Sequence, residues 1–166
     1  MSPHDKDEAV AAELNAHHRV MIEYLGRLSK SLSAAASSGI DAARARRDLE
    51  DWVRDVLAPH AEEEEVTTYR AAAELDEGRL LIKSMLAEHE LIRQTAANMS
   101  AAANDIEAAA YGRVLFEIFD SHQRKENDLI LPLLVASKEV SLAEVMRSGD
   151  AQGHDQDHDS DHGHVH

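Results

Sequence analysis

The chain has 166 residues with Gly 7, Pro 3 and aromatic residues at 4%, which suits one helical domain and leaves little material for strands or tight hairpins. A formal net charge of −15 excludes the basic face that phosphate binding needs, and with it a nucleic-acid binder. Cys 0 excludes disulfides, iron–sulfur clusters, thiolate zinc sites and cysteine nucleophiles, so any metal must bind through nitrogen and oxygen.

Met1 to Glu13 is polar and lacks the apolar core of a secretory signal. No run of about eighteen apolar residues occurs, so no membrane span and a cytoplasmic setting are expected. A first helix follows from Val10, Leu14, Met21, Leu25, Leu28 and Leu32, whose steps of three, four and seven mark one buried face. His17 and His18 fill the gap in that stripe. Ser37, Ser38 and Gly39 end it, and Asp41 is placed to cap a second helix with the stripe Leu49, Trp52, Val53, Val56 and Leu57. His60 and Glu64 continue this stripe, and Pro59 predicts a kink beside His60.

Gly78 predicts a break before a third helix that turns Leu81, Ile82, Met85 or Leu86, His89, Ile92, Ala96 and Met99 inward. A fourth begins near Asn104 or Asp105 and carries Leu115, Ile118, Phe119, His122, Glu126, Leu129, Ile130 and Leu133, with Pro132 kinking its last third. Ser141 to Met146 predicts a short terminal helix. Leu142 and Val145 on it suit docking on the same bundle or on a neighbour, which leaves the oligomeric state open. Gly149 to His166 has almost nothing apolar, as expected of a disordered tail. The expected architecture is all-α: an up-down-up-down four-helix bundle over residues 1–148, with a short C-terminal helix, followed by a flexible His/Asp-rich tail over 149–166.

Each of the four long stripes holds a histidine, and two add a glutamate four residues on, as His60–Glu64 and His122–Glu126. Positions i and i+4 differ by about 40° around a helix, so both members of each pair point toward the bundle axis. Burying four imidazoles and two carboxylates is costly unless something satisfies them. A pair of cations does so, with His18, His60, His89 and His122 as terminal ligands and Glu64 and Glu126 able to bridge. One histidine on an apolar stripe is ordinary core chemistry; four at mid-height, two with their glutamate, are not.

The segments HHRVMIEYL, PHAEEEEVTTY, AEHELI and SHQRKENDLILPLL, over about residues 10 to 137, resemble those of the haemerythrin-like domains called HHE cation-binding proteins. In order they read H, HxxxE, H, HxxxE. The resemblance implies the bundle fold and an oxygen-reactive pair of iron ions, oxo- or hydroxo-bridged, for which manganese or zinc could substitute. The oxygen-carrying haemerythrins differ: they add a histidine one turn from the third-helix ligand and an aspartate five residues after the last histidine. Here Met85 and Arg93 flank His89, and Asn127 follows Glu126. These departures argue against simple reversible oxygen carriage.

Tyr69, Glu63, Glu90 and His17 lie close enough to the stripes to be candidate further ligands. Tyr69, five residues past Glu64, reaches the site only if its helix is distorted. Of the run Glu62 to Glu65 only Glu64 has core phase, and Arg93 reads as a surface residue, with pairing to a spare carboxylate or a place at a solvent entry as the alternatives. The tail sets His154, His158, His162, His164 and His166 among aspartates, the composition of a loose chelator for collecting metal or of a solubilising segment. The expected function is a di-iron protein that binds or reacts with a small oxidant such as dioxygen, peroxide or nitric oxide; whether it is an enzyme, of peroxidase- or oxidase-like activity, is left open by the sequence. An iron or oxygen sensor, or a metal store, is the alternative. No protein partner is indicated.

Overall fold

A computed structural model describes residues 2–153, and those residues are helical throughout apart from short connections, with no strand among them. Helix α1 (Pro3–Ser38) begins seven residues before the apolar stripe, because Ser2 and Asp5 close a capping box and Pro3 is preset for the first turn. It ends on Gly39, whose φ of 71° places it in the left-handed region. Asp41 does precede α2 (Ala42–Trp52), but at φ 56° its side chain makes no capping hydrogen bond.

Both expected kinks are π turns. Pro59 and Pro132 have no N–H to give the carbonyl one turn back, and the ladder lengthens upstream. Ala58 N donates to Val53 O after the π turn Val53–Leu57, and Leu131 N to Glu126 O after the π turn Glu126–Ile130. A π turn holds one extra residue and rotates the following face by about 100°. Val56 and Leu129, expected inside, are therefore 37% and 50% exposed, and Leu131 and Leu134 are buried. Helix α3 (Ala58–Val66) then stops at Thr67, whose φ −114° and ψ −96° re-aim the short α4 (Thr68–Ala73).

Gly78 lies in the first turn of α5 (Asp76–Ala101) rather than in a break before it. A Cβ at this residue would stand 1.9 Å from the Ala72 carbonyl oxygen, so the tight corner between α4 and α5 needs a glycine. On α5, Met85 is buried and Leu86 is 41% exposed, which settles that choice. Asn104 Oδ1 accepts from Glu107 N at 2.9 Å and starts α6 (Asp105–Lys125) as expected. The π turn at Glu126 leads into α7 (Leu131–Ala136), and α8 (Leu142–Gly153) follows. The terminal helix is longer than Ser141 to Met146 and continues past Gly149; the tail histidines from His154 onward lie outside the described residues.

Two apolar clusters fill the interior. One contains Met21, Leu25, Leu32, Leu49, Trp52, Leu57, Ile92, Met99, Leu115 and Phe119. The other contains Tyr69, Ala72, Leu75, Ile82, Met85, Ile130, Leu131, Leu134 and Leu142, with Val10 and Leu14 packed on it. Helix α1 passes from the second cluster to the first, the α2–α4 rod returns, α5 goes up again and the α6–α7 rod comes back. Between the clusters each rod contributes a histidine, so the polar residues form one layer roofed on both sides by hydrocarbon.

The short α8 docks on its own chain. Buried Asp7 of α1 accepts from Ser141 Oγ at 2.9 Å and from Ala143 N at 2.8 Å, a tertiary cap, while Leu142 is fully buried. No helix among the described residues is long and apolar enough to cross a membrane.

Candidate metal centre

The mid-height layer is where the four rods pool their polar side chains. His18 comes from α1, His60 and Glu64 from one face of α3, His89 from α5, and His122 from the end of α6 with Glu126 opening the π turn. His18, Glu64, His89, His122 and Glu126 are buried and His60 nearly so. The structure brings all six together as two overlapping groups. His18, His60, Glu64 and Glu126 form one, and Glu64, His89, His122 and Glu126 the other; in each, one ligand atom per residue lies within 4.8 Å of the rest. Both carboxylates belong to both groups.

The distances show one crowded layer. Glu64 Oε1 lies 2.8 Å from His60 Nε2 and 3.4 Å from His18 Nε2, and Glu64 Oε2 lies 3.4 Å from His89 Nε2. Glu126 Oε1 is 3.0 Å from His122 Nε2, and Glu126 Oε2 is 3.7 Å from His18 Nε2. The His60 contact is near but misaligned for a hydrogen bond. Thus His60 Nε2, Glu64 Oε2 and Glu126 Oε2 are all buried without a partner.

Protonation reflects the crowding. Burial alone would raise the Glu64 carboxyl, but His18, His60 and His89 outweigh it and hold it well below the usual range. Burial, then the charge of Glu64, raises Glu126 despite His122 and His18. Burial depresses His18 and His122, yet their carboxylate neighbours leave both raised. Glu64 and Glu126 are thus pushed in opposite directions, as expected of two buried carboxylates that sit beside one another and share imidazole neighbours. Orphaned buried acceptors and convergent Nε2 atoms fit cations bound by nitrogen and oxygen.

Tyr69 enters the layer because Thr67 breaks the helix. Thr67 Oγ1 donates to Glu63 O at 2.6 Å, and the re-aimed α4 sends the buried phenol inward. Its hydroxyl donates to Glu126 Oε1 and lies 2.9 Å from His122 Nε2 and 3.4 Å from His89 Nε2. Burial, followed by the charges of Glu126 and Glu64, pushes the phenol far above its ordinary value. Of the other candidates, Glu90 is exposed and outside both groups, whereas His17 and Glu63 are exposed but line a cavity beside His18 and His60. That cavity has a volume of about 240 Å³; Glu64, Tyr69 and Glu126 also border it, and Leu14, Ile130, Leu131 and Met146 supply its apolar wall.

Sequence reasoning missed a second ring of partners. Glu65 Oε1 accepts from His89 Nδ1 at 2.8 Å and from Arg93 at 2.6 Å, so Glu65 is not on a purely solvated face and Arg93 takes its alternative reading, an exposed arginine paired with a carboxylate. Glu88 Oε2 accepts from His122 Nδ1 at 2.9 Å and its other oxygen pairs with Lys125. Asn127 Oδ1 lies 2.8 Å from His18 Nδ1. The available signal was that each of these residues adjoins a ligand in sequence or lies one turn from one.

A helical protein whose interior closes on two His/Glu groups belongs to the metal-binding class. Residues 9–134 match the Hemerythrin HHE cation binding domain family, well over half of the chain, and the chain belongs to that family. No curated protein and no solved structure matches it significantly.

Proposed function

We propose that this chain is a haemerythrin-like four-helix bundle that holds two iron ions in its mid-height layer and binds or reacts with a small oxidant on the side facing the cavity. One observation carries the reading: six buried donors from four rods converge and leave His60 Nε2, Glu64 Oε2 and Glu126 Oε2 without partners. His18 and His60 would hold one ion, His89 and His122 the other, and Glu64 and Glu126 would bridge them. Tyr69 stands as a further donor on the His89–His122 side. Iron bound there would supply a coordination position for dioxygen, peroxide or nitric oxide and the electrons to reduce it.

The chain's own groups have definite tasks. Glu64 and Glu126 offset the charge of the ions, and Glu65, Glu88 and Asn127 hold the imidazoles in orientation. The Tyr69 hydroxyl keeps a proton on the Glu126 side of the layer. Leu14, Ile130, Leu131 and Met146 restrict bulk water at the His18–His60 side. A cytoplasmic setting forms part of the proposal.

The deciding experiment is elemental analysis of protein lacking residues 154–166, with the optical spectrum of the same sample and its response to peroxide, dioxygen and nitric oxide. About two irons per chain with near-ultraviolet absorption that changes on adding an oxidant is the expected result. Folded protein without stoichiometric metal defeats the proposal, and a metal-loaded protein indifferent to all three oxidants defeats its second half.

A further inference from the structure

The two donor groups share both carboxylates but not the same surroundings. His89 and His122 each give Nδ1–H to a carboxylate, Glu65 and Glu88, and those carboxylates are themselves held by Arg93 and Lys125. A carboxylate only accepts, so it enforces the tautomer whose bare Nε2 points inward and fixes the ring plane. His18 has only Asn127 at its Nδ1, and an amide can turn either its oxygen or its NH₂ toward the ring. His60 has no side-chain hydrogen bond that orients it, and its Nε2 is unpartnered.

Access differs in the same sense. His89 and His122 are buried with the Tyr69 hydroxyl beside both Nε2 atoms. His18 and His60 line the cavity, and His60 is the more exposed of that pair. One position is preorganised, its two imidazoles set back from the cavity; the other is loosely set, with both of its imidazoles on the cavity wall.

We propose that the two positions fill in order, the His89–His122 position first and durably, the His18–His60 position second and reversibly, so that the outer ion responds to metal supply. This rests on the two-cation reading above and adds to it a stable one-ion form. Glu65 and Glu88 act as positioning residues for the inner ion, and Asn127 for the outer.

The test is titration of chelator-treated protein, full-length and lacking residues 154–166 so that the tail histidines are accounted for, with manganese(II), followed by electron paramagnetic resonance and equilibrium dialysis. The first equivalent should give the signal of an isolated ion, and the second a spin-coupled pair with weaker affinity. Glu65→Ala and Glu88→Ala should weaken the first event by about 10- to 100-fold. Asn127→Ala should weaken the second alone. Where an alanine variant fails to fold, Glu65→Gln and Glu88→Gln keep the volume and should show a smaller loss in the same event. A coupled signal from the first additions, or anchor variants that change both events alike, overturns the order of filling. Folded wild-type protein that binds no manganese overturns the cation reading itself and is distinguished by its zero stoichiometry.

Discussion

His18, His122 and Glu126 are all raised in the metal-free fold, the two histidines because their carboxylate neighbours outweigh burial and Glu126 because burial and the charge of Glu64 outweigh its imidazoles, so each holds its proton to higher pH than in the unfolded chain. The folded state then binds more protons than the unfolded one, and stability falls as pH rises. For the two histidines, the contribution is complete below the ordinary imidazole range and is lost as pH climbs through their raised values. Glu64, held low, opposes this only when pH falls below the carboxylate range. Metal reverses the sign, because bound imidazoles must be unprotonated. Thermal midpoints measured from pH 6 to 8 should therefore fall with pH in chelator and rise with pH in excess metal. Each proton of difference is worth about 1.4 kcal/mol per pH unit. Parallel slopes would show that the cluster does not exchange protons for ions. At this scale His18, His60, Glu64, His89, His122 and Glu126 were legible because a polar residue on an apolar stripe needs a partner. Glu65, Glu88 and Asn127 were not, because each serves a histidine on a different helix and lies off the stripe.

Helices announce their faces well and their phase errors poorly. The stripes of α1 and α5 read correctly because both helices are regular from end to end. Val56 and Leu129 were misplaced because each lies in a π turn, whose extra residue is invisible to a count of threes and fours. The same distortions serve the site. The first re-phases the rod just before His60, the second begins on Glu126, and the Thr67 break brings Tyr69 inward. Helix ends carry their own energetics. The Arg46 guanidinium donates to the carbonyls of Met99 at 3.0 Å, Ser100 at 2.7 Å and Ala102 at 3.0 Å, closing the C-terminus of α5. Arg46→Ala should lower unfolding free energy by about 1.5–3 kcal/mol, the range for hydrogen bonds to a charged donor. A urea titration measures it. A loss below a few tenths would show that water replaces the guanidinium freely.

Over the whole molecule, Asp+Glu 32 against Lys+Arg 17 surround the buried layer with a negative field. Such a field draws cations toward the cavity beside His17, Glu63 and His60, and salt weakens it over a Debye length of about 10 Å at 0.1 M. Metal uptake by stopped flow should slow several-fold from about 10 mM to 150 mM salt, with stoichiometry unchanged; a salt-independent rate would remove long-range attraction from the account. The docked α8 belongs to this scale too. In the sequence Leu142 suited docking on its own bundle or on a neighbour, and Asp7, 135 residues away, caps α8 so that it becomes core of its own chain. The sequence by itself determined the helical class, the acidic surface and which six histidines and glutamates the fold gathers in one layer, since composition and periodicity act locally along the chain. Only the tertiary structure decided which histidines pair, which carboxylates orient them, that Tyr69 joins the layer, and that one side opens to a cavity. Those features depend on contacts between residues distant in sequence and on single-residue changes of helical phase, which no local pattern encodes.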